Sequence, residues 1–275
     1  MRQASIKYRA LIAYGLLIIL LVTDSGSTNA APLDNPDPKR IAIVIDDFGN
    51  NMLGTEEMLK LPFPLTVAVM PFLSTTKRDA EWAHRLGHEV FVHMPMEPLR
   101  GKASWLGPGA ITTDLSNEEI KKRVNAAFEN VPYAVGISNH MGSKATADVR
   151  VMRAVMEVCR DRGKVYLDSH TTYFSVVEKV AREMGVPYIQ NNLFLDNQYS
   201  KRHIAKKVYS LHDYLKTNSN CIAIGHVGIQ GKKTASVLKE NSSFLKNEGK
   251  LVTATQLMDP NYHVIGKRER KEGNK

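Results

Sequence analysis

The feature that most constrains this chain is a repeated alternation of two kinds of segment. Short apolar runs, rich in β-branched residues, take turns with amphipathic stretches of helical period. The runs are Ile41–Ile45 (IAIVI), Leu65–Met70 (LTVAVM), Val90–His93, Ala134–Ser138, Val165–Asp168, Tyr188–Gln190 and Ile222–Gly225, with Leu251–Thr255 as an eighth candidate. Continuous apolar runs suit strands covered on both faces, the situation in a parallel sheet. Helical patterns fall between them, over Glu56–Lys60, Lys77–Leu86, Ser116–Phe128, Asp148–Arg162, Ser175–Met184, Ile204–Leu215 and Thr234–Lys246. Ser116 and Glu119 have capping-box spacing, and Gly163 and Gly185 stand where helices commonly stop. Strand–helix alternation implies parallel βαβ units, and seven or eight of them imply an irregular (β/α) barrel. A doubly wound open sheet is the alternative. No repeat or composition break interrupts residues 40–260, which are expected to form one domain.

The ends of the apolar runs carry the polar residues. The first run leads into Asp46 and Asp47, the third into His93 and Glu97, the fourth into Asn139 and His140, the fifth into Asp168 and His170, and the seventh into His226. In a parallel barrel all of these lie on one rim. Adjacent carboxylates at a strand end suit a divalent cation with a base beside it, and histidines on neighbouring strands supply nitrogen ligands. Asp plus two His is an open catalytic set for zinc or a similar ion. Singly, each residue has a plainer reading: an Asp after a strand is often a helix N-cap, and a lone His is more often a satisfied polar group than a ligand. The joint pattern carries the inference. His84, His88, His203, His212 and His263 lie in helices, turns or the tail and receive no role. Trp105, beside Gly107-Pro108-Gly109, stands in a loop that either lines a substrate cleft or is a surface turn. A G-x-S-x-G elbow, a P-loop and a G-x-G-x-x-G after the first strand are all missing, which disfavours serine hydrolase and nucleotide-binding readings.

The ends of the chain bear on location. Arg2, Lys7 and Arg9 precede the apolar run Ala10–Val22, and Thr28-Asn29-Ala30 offers a small-residue cleavage site. Residues 1–30 thus have signal-peptide order, which places the body in the cell envelope or outside the cell. An uncleaved anchor is the alternative, although the run is short for a membrane span. Residues 31–39 hold three prolines and form a linker; residues 261–275 are a basic tail. Of the formal charge of +9, residues 1–30 carry +2 and residues 267–275 carry +3, which leaves +4 on the rest, too weakly basic to suggest a nucleic-acid partner. Cys159 and Cys221 match no zinc or redox spacing. They are expected to be buried thiols, with an exported disulfide as the lesser alternative.

Six segments carry a resemblance: Ile41–Gly49 (IAIVIDDFG), Val92–Pro98 (VHMPMEP), Asn139–Ser143 (NHMGS), Asp168–Thr171 (DSHT), Asn191–Asn197 (NNLFLDN) and Ile224–Gly228 (IGHVG). In this order, over about residues 40–258, they resemble the divergent polysaccharide deacetylases, distant relatives of chitin- and peptidoglycan-deacetylating carbohydrate esterases. The resemblance implies an irregular (β/α) barrel, Asp46 as base, Asp47 as metal ligand and His226 as general acid. The classical second motif has two histidines four apart; here the positions hold His93 and Glu97. The missing ligand is then assigned to His140, and Glu97 either ligates or orients His93. Asp168 is expected to partner a catalytic group or ligand, with His170 on the rim. Asp196 falls on a motif whose relatives often carry a preceding arginine, where this chain has Asn191. The implied activity is an exported, metal-dependent hydrolase, zinc first among the metals, removing N-acetyl groups from peptidoglycan or another amino-sugar polymer. A metal-containing sugar-binding protein without turnover, and a metal hydrolase of another amide or ester, are the alternatives.

Overall fold

The computed structural model describes residues 38–258. The expected signal, most of the linker and the basic tail lie outside them. The described residues contain nine strands: β1 (Arg40–Phe48), β2 (Thr66–Val69), β3 (Glu89–Met96), β4 (Ala134–Met141), β5 (Val165–Asp168), β6 (Tyr188–Gln190), β7 (Leu193–Phe194), β8 (Asn220–His226) and β9 (Lys250–Val252). The helices are α1 (Thr55–Leu59), α2 (Thr76–Arg85), α3 (Asn117–Asn130), α4 (Val149–Arg162), α5 (Val177–Met184), α6 (Lys201–Leu215), α7 (Gly231–Glu240) and α8 (Ser242–Glu248). None of these helices is long and apolar enough to cross a membrane.

All strand pairs are parallel, in the order β6-β5-β4-β3-β2-β1-β8-β7. This is the curled (β/α) barrel expected from the alternation, with eight strands in the main path. The expected last strand is β9, which extends the sheet beside the start of β1 (Arg40 opposite Lys250) and stands outside that path. The expected strand Tyr188–Gln190 is β6, and β7, a two-residue strand that no apolar run announces, follows it. β6 pairs with β5, two residues step sideways, and β7 pairs with β8. Asn191 and Asn192 make the step. Their backbone N–H groups donate to Asp168 on one side and Ile222 on the other, and the Asn192 side chain accepts from the Ile222 N–H. Likewise the expected helix over residues 234–246 begins earlier, at Gly231, and divides at Asn241.

Period-two alternation sorts the strand residues into two layers. Ile41, Ile43 and Ile45 pack outward beneath the helices, whereas Ala42 and Val44 fill the barrel interior with Phe91, Leu167, Ile222 and Ile224. Phe91 lies over Gly136, where any Cβ would sit 2.4 Å from the ring. Helix ends follow local chemistry. Ser116 and Asp148 accept from backbone N–H groups in the first turns of α3 and α4, and Gly163 and Gly185 close α4 and α5 at φ 62° and 65°. The capping box at α3 is half made, because the Glu119 carboxylate turns to Arg123. Cys159 and Cys221 are buried and free, as expected, and burial pushes both thiols up to about 12.

Candidate metal centre

The same alternation selects the side chains of the rim. Continuing Ala42 and Val44, Asp46 faces inward; so do His93 after Phe91, His226 after Ile222 and Ile224, and Ser138 and His140 after Gly136. Asp47 has the opposite parity, yet it joins the site because β1 is irregular there. Its register against β2 shifts between Ile45 and Phe48, and Asp47 has φ 72°. Left-handed backbone is uncommon outside glycine, and such outliers gather at functional sites. The turn is secured from α2: buried Asp79 accepts from the Gly49 N–H at 3.0 Å and from the Thr75 hydroxyl at 2.8 Å.

Asp47, His93 and His140 each aim one donor atom at a common point, all within 4.8 Å of one another. Asp47 Oδ1 lies 3.0 Å from His140 Nδ1 and 3.4 Å from His93 Nε2. Ligands at zinc bond lengths of about 2.0–2.2 Å in a tetrahedron stand roughly 3.3–3.5 Å apart; the Asp47–His93 separation matches this and the Asp47–His140 separation is slightly shorter. Tautomer chemistry gives a second test. His140 Nε2 lies 3.3 Å from the Trp105 carbonyl oxygen, which can only accept. The proton is therefore on Nε2, and Nδ1 of the neutral ring is a lone pair facing a carboxylate. Two facing lone pairs need a cation between them or a second proton on the ring. In agreement, burial lowers the His140 pKa but the adjoining Asp47 outweighs it and raises it. His93 is oriented by a hydrogen bond between Nδ1 and Ser138 Oγ at 2.8 Å. Oδ1 of Asp46 and Oδ1 of Asp47 are buried without a partner of hydrogen-bond geometry, a costly state unless something else meets them. These residues fit a divalent ion.

Two groups flank the three donors. Asp46 is buried, with Oδ2 3.6 Å from His93 Nε2. Burial raises its pKa, against the opposing charges of His93 and His226. Asp47 is held well below the usual carboxylate range: burial pushes it up, but His140 and His93 prevail. His226 lies opposite Asp46 in the β1–β8 register. Its Nδ1–H donates to Asp196 Oδ1 at 2.7 Å, and its backbone N–H donates to Asp196 Oδ2 at 2.8 Å. Burial works against the imidazolium, but Asp196, Asp47 and Asp46 together raise its pKa to about 9.

Four expectations need correction or refinement. Glu97 neither ligates nor orients His93: it accepts from the Thr113 N–H and hydroxyl and from Lys144, each at 2.7 Å. Orientation of His93 falls to Ser138, a residue with no signature inside its apolar run. Asp168 touches no candidate ligand or catalytic side chain. It follows Tyr166 on the outward parity and binds the His170 N–H and the Ser175 hydroxyl. Asp196 needs no arginine, because His226 is its partner and Thr234 donates to it as well; Asn191 serves the strand step. Trp105 meets the site through its carbonyl, while its ring is 56% exposed. His170 stands on the rim as expected, at φ 53°.

The family model for divergent polysaccharide deacetylases matches residues 43–258. The chain belongs to that family. As a divergent polysaccharide deacetylase it is 34% identical over 220 residues to the uncharacterized protein YibQ of Escherichia coli K12, covering 80% of this chain and 67% of YibQ. It is 32% identical over 187 residues to an uncharacterized protein of Haemophilus influenzae, covering 68% and 66%. The match therefore spans about two thirds of the length of each relative. Among solved structures, the uncharacterized protein ATU2773 of Agrobacterium tumefaciens C58 superposes with a TM-score of 0.75 at 20% identity, over 82% of this chain and 92% of that one. The two share a fold.

Proposed function

We propose that this family member is an exported, metal-dependent hydrolase that removes N-acetyl groups from an amino-sugar polymer of the cell envelope, with zinc as its metal. The observation that carries the reading is the convergence of Asp47, His93 and His140 on one point, flanked by an orphaned buried carboxylate oxygen and a raised histidine. Asp47 Oδ1, His93 Nε2 and His140 Nδ1 would hold the ion. When bound, a divalent ion lowers the pKa of water and polarises a carbonyl oxygen. Asp46 takes the proton of the attacking water; burial raises its pKa, which makes it a better acceptor. His226 is the complementary acid. With Nδ1–H committed to Asp196, the proton at Nε2 is the one it gives to the leaving amine, and the Asp196 carboxylate favours the protonated ring. Acetate and a free amino sugar result. Support for export comes from the amino-terminal sequence, and for the polymer from family membership.

Acetate release from N-acetylglucosamine oligomers and from peptidoglycan tests the reading. Asp46→Asn is expected to retain the metal and lose at least about a hundredfold in rate, the usual scale for a general base. Retained activity in that variant would remove Asp46 as the base. Metal binding without acetate release from any glycan by the wild-type protein would overturn the deacetylase assignment.

A further inference from the structure

We propose that the seam of the barrel is a second sugar-binding site, which takes an uncharged N-acetylated sugar unit further along the chain from the one presented to Asp46 and His226. The proposal rests on the glycan reading above and extends it to residues that the metal centre does not use.

The seam arises at the step between β6 and β7. β6 ends on β5, β7 begins on β8, and no ladder bonds join the two ends of the sheet. Beside the step lies a cavity of about 580 Å³, lined by Thr171, Thr172, Tyr173, Phe174, Asn192 and Phe194 among others. Its size is ordinary for a ligand site. The chemistry of the lining is selective. Its only ionisable groups are the imidazole of His170 and the Tyr173 phenol; Lys, Arg, Asp and Glu are missing from it. Hydroxyls, amides and aromatic faces suit a neutral ligand with hydroxyl and acetamido groups and an apolar ring face. They offer nothing to balance a phosphate or carboxylate.

The rings are presented, not packed away. Tyr173 is 96% exposed and Phe174 is 76% exposed. The loop that bears them is nevertheless fixed at both ends. Buried Asp168 accepts from the His170 N–H through Oδ1 and from the Ser175 hydroxyl through Oδ2, so one carboxylate brackets residues 171–174. The Thr171 hydroxyl donates to the Met141 carbonyl, which ties the loop to the end of β4. This gives Asp168 a purpose: it is a positioning residue for an aromatic platform. One aromatic ring separates the cavity from His226. Phe194 lines it and stacks on His226, with centroids 6.1 Å apart and planes 15° apart. A sugar in the seam thus lies on the far side of the Phe194 ring from one at His226.

The test is binding of N-acetylglucosamine dimer and tetramer to the full chain by calorimetry. Wild type is compared with Tyr173→Ala/Phe174→Ala and with Tyr209→Ala, an exposed ring on α6, as control. Circular dichroism checks the fold. The expected result is a tetramer at least about tenfold tighter than the dimer in wild type and control, reflecting stacking on the platform. In the double variant that preference falls to less than about twofold. An undiminished preference in the double variant, or no length preference in wild type, overturns the seam site. Acetate release is scored separately. A tetramer preference that vanishes with the platform while no acetate appears upholds the seam site and sinks only the deacetylase reading.

Discussion

Replacing Asp196 with Asn isolates the electrostatics of the proposed acid. Asp196 receives the imidazole Nδ1–H at 2.7 Å, the His226 backbone N–H at 2.8 Å and the Thr234 hydroxyl at 2.8 Å. Asn keeps the shape and one acceptor but removes the charge. His226 titrates near 9 against an ordinary 6.5, although burial opposes its protonation. That shift corresponds to about 3 kcal/mol of preference for the imidazolium. Without the Asp196 charge, burial is opposed only by Asp47 and Asp46, and the pKa falls. The assay is a histidine-selective NMR titration of the metal-free protein, read at the imidazole nitrogens of His226. Stability must follow. Because the folded pKa is raised, the contribution is complete below pH 6.5 and is lost as pH rises towards and through 9. Urea unfolding should therefore show a decline of up to about 3 kcal/mol over that window in wild type, and a smaller one in Asp196→Asn. A wild-type His226 that titrates at 6.5 or below, or one unmoved by the substitution, would refute the reasoning.

Other perturbations reach different parts of the account. Ser138→Ala removes the partner of His93 Nδ1 and is expected to weaken metal binding by about 10–100-fold in a chelator competition, the usual range for a group that orients a ligand; unchanged affinity would free Ser138 of that role. Asp79→Asn loosens the clamp on the Asp46–Gly49 turn and should cost about 1–3 kcal/mol in urea unfolding, as for a buried charged hydrogen bond. Gly136→Ala drives a methyl group into the Phe91 ring and the Val165 carbonyl; a loss of about 1–3 kcal/mol is expected, and an unchanged melting temperature would show that the barrel interior yields easily there.

Much of this was legible because strands buried on both faces leave continuous apolar runs, and because a parallel barrel brings their ends together. Asp46, Asp47, His93, His140 and His226 could be grouped on that ground alone. Parity could have carried the reading further. Leu167 faces the interior, so Asp168 must face out, and its separation from the metal centre was implicit in Tyr166-Leu167-Asp168. Ser138 was not legible, since a serine inside an apolar run has no signature until its neighbour across the ladder is known. Glu97 lies away from the site because residues four apart meet on a helical turn but stand far apart along an extended strand, which β3 is up to Met96. The step at Asn191–Asn192 is not legible because β7 is only two residues long, too short to leave an apolar run of its own.

The central claim is that Asp47, His93 and His140 bind one divalent ion. Elemental analysis of the purified chain, reconstituted with zinc and dialysed, tests it most directly, with Asp47→Ala and His140→Ala alongside. About one equivalent in wild type and near none in either variant is the predicted result, as expected of three protein ligands around an open site. No retained zinc, cobalt or nickel in wild type, or equal metal in all three proteins, would contradict the account.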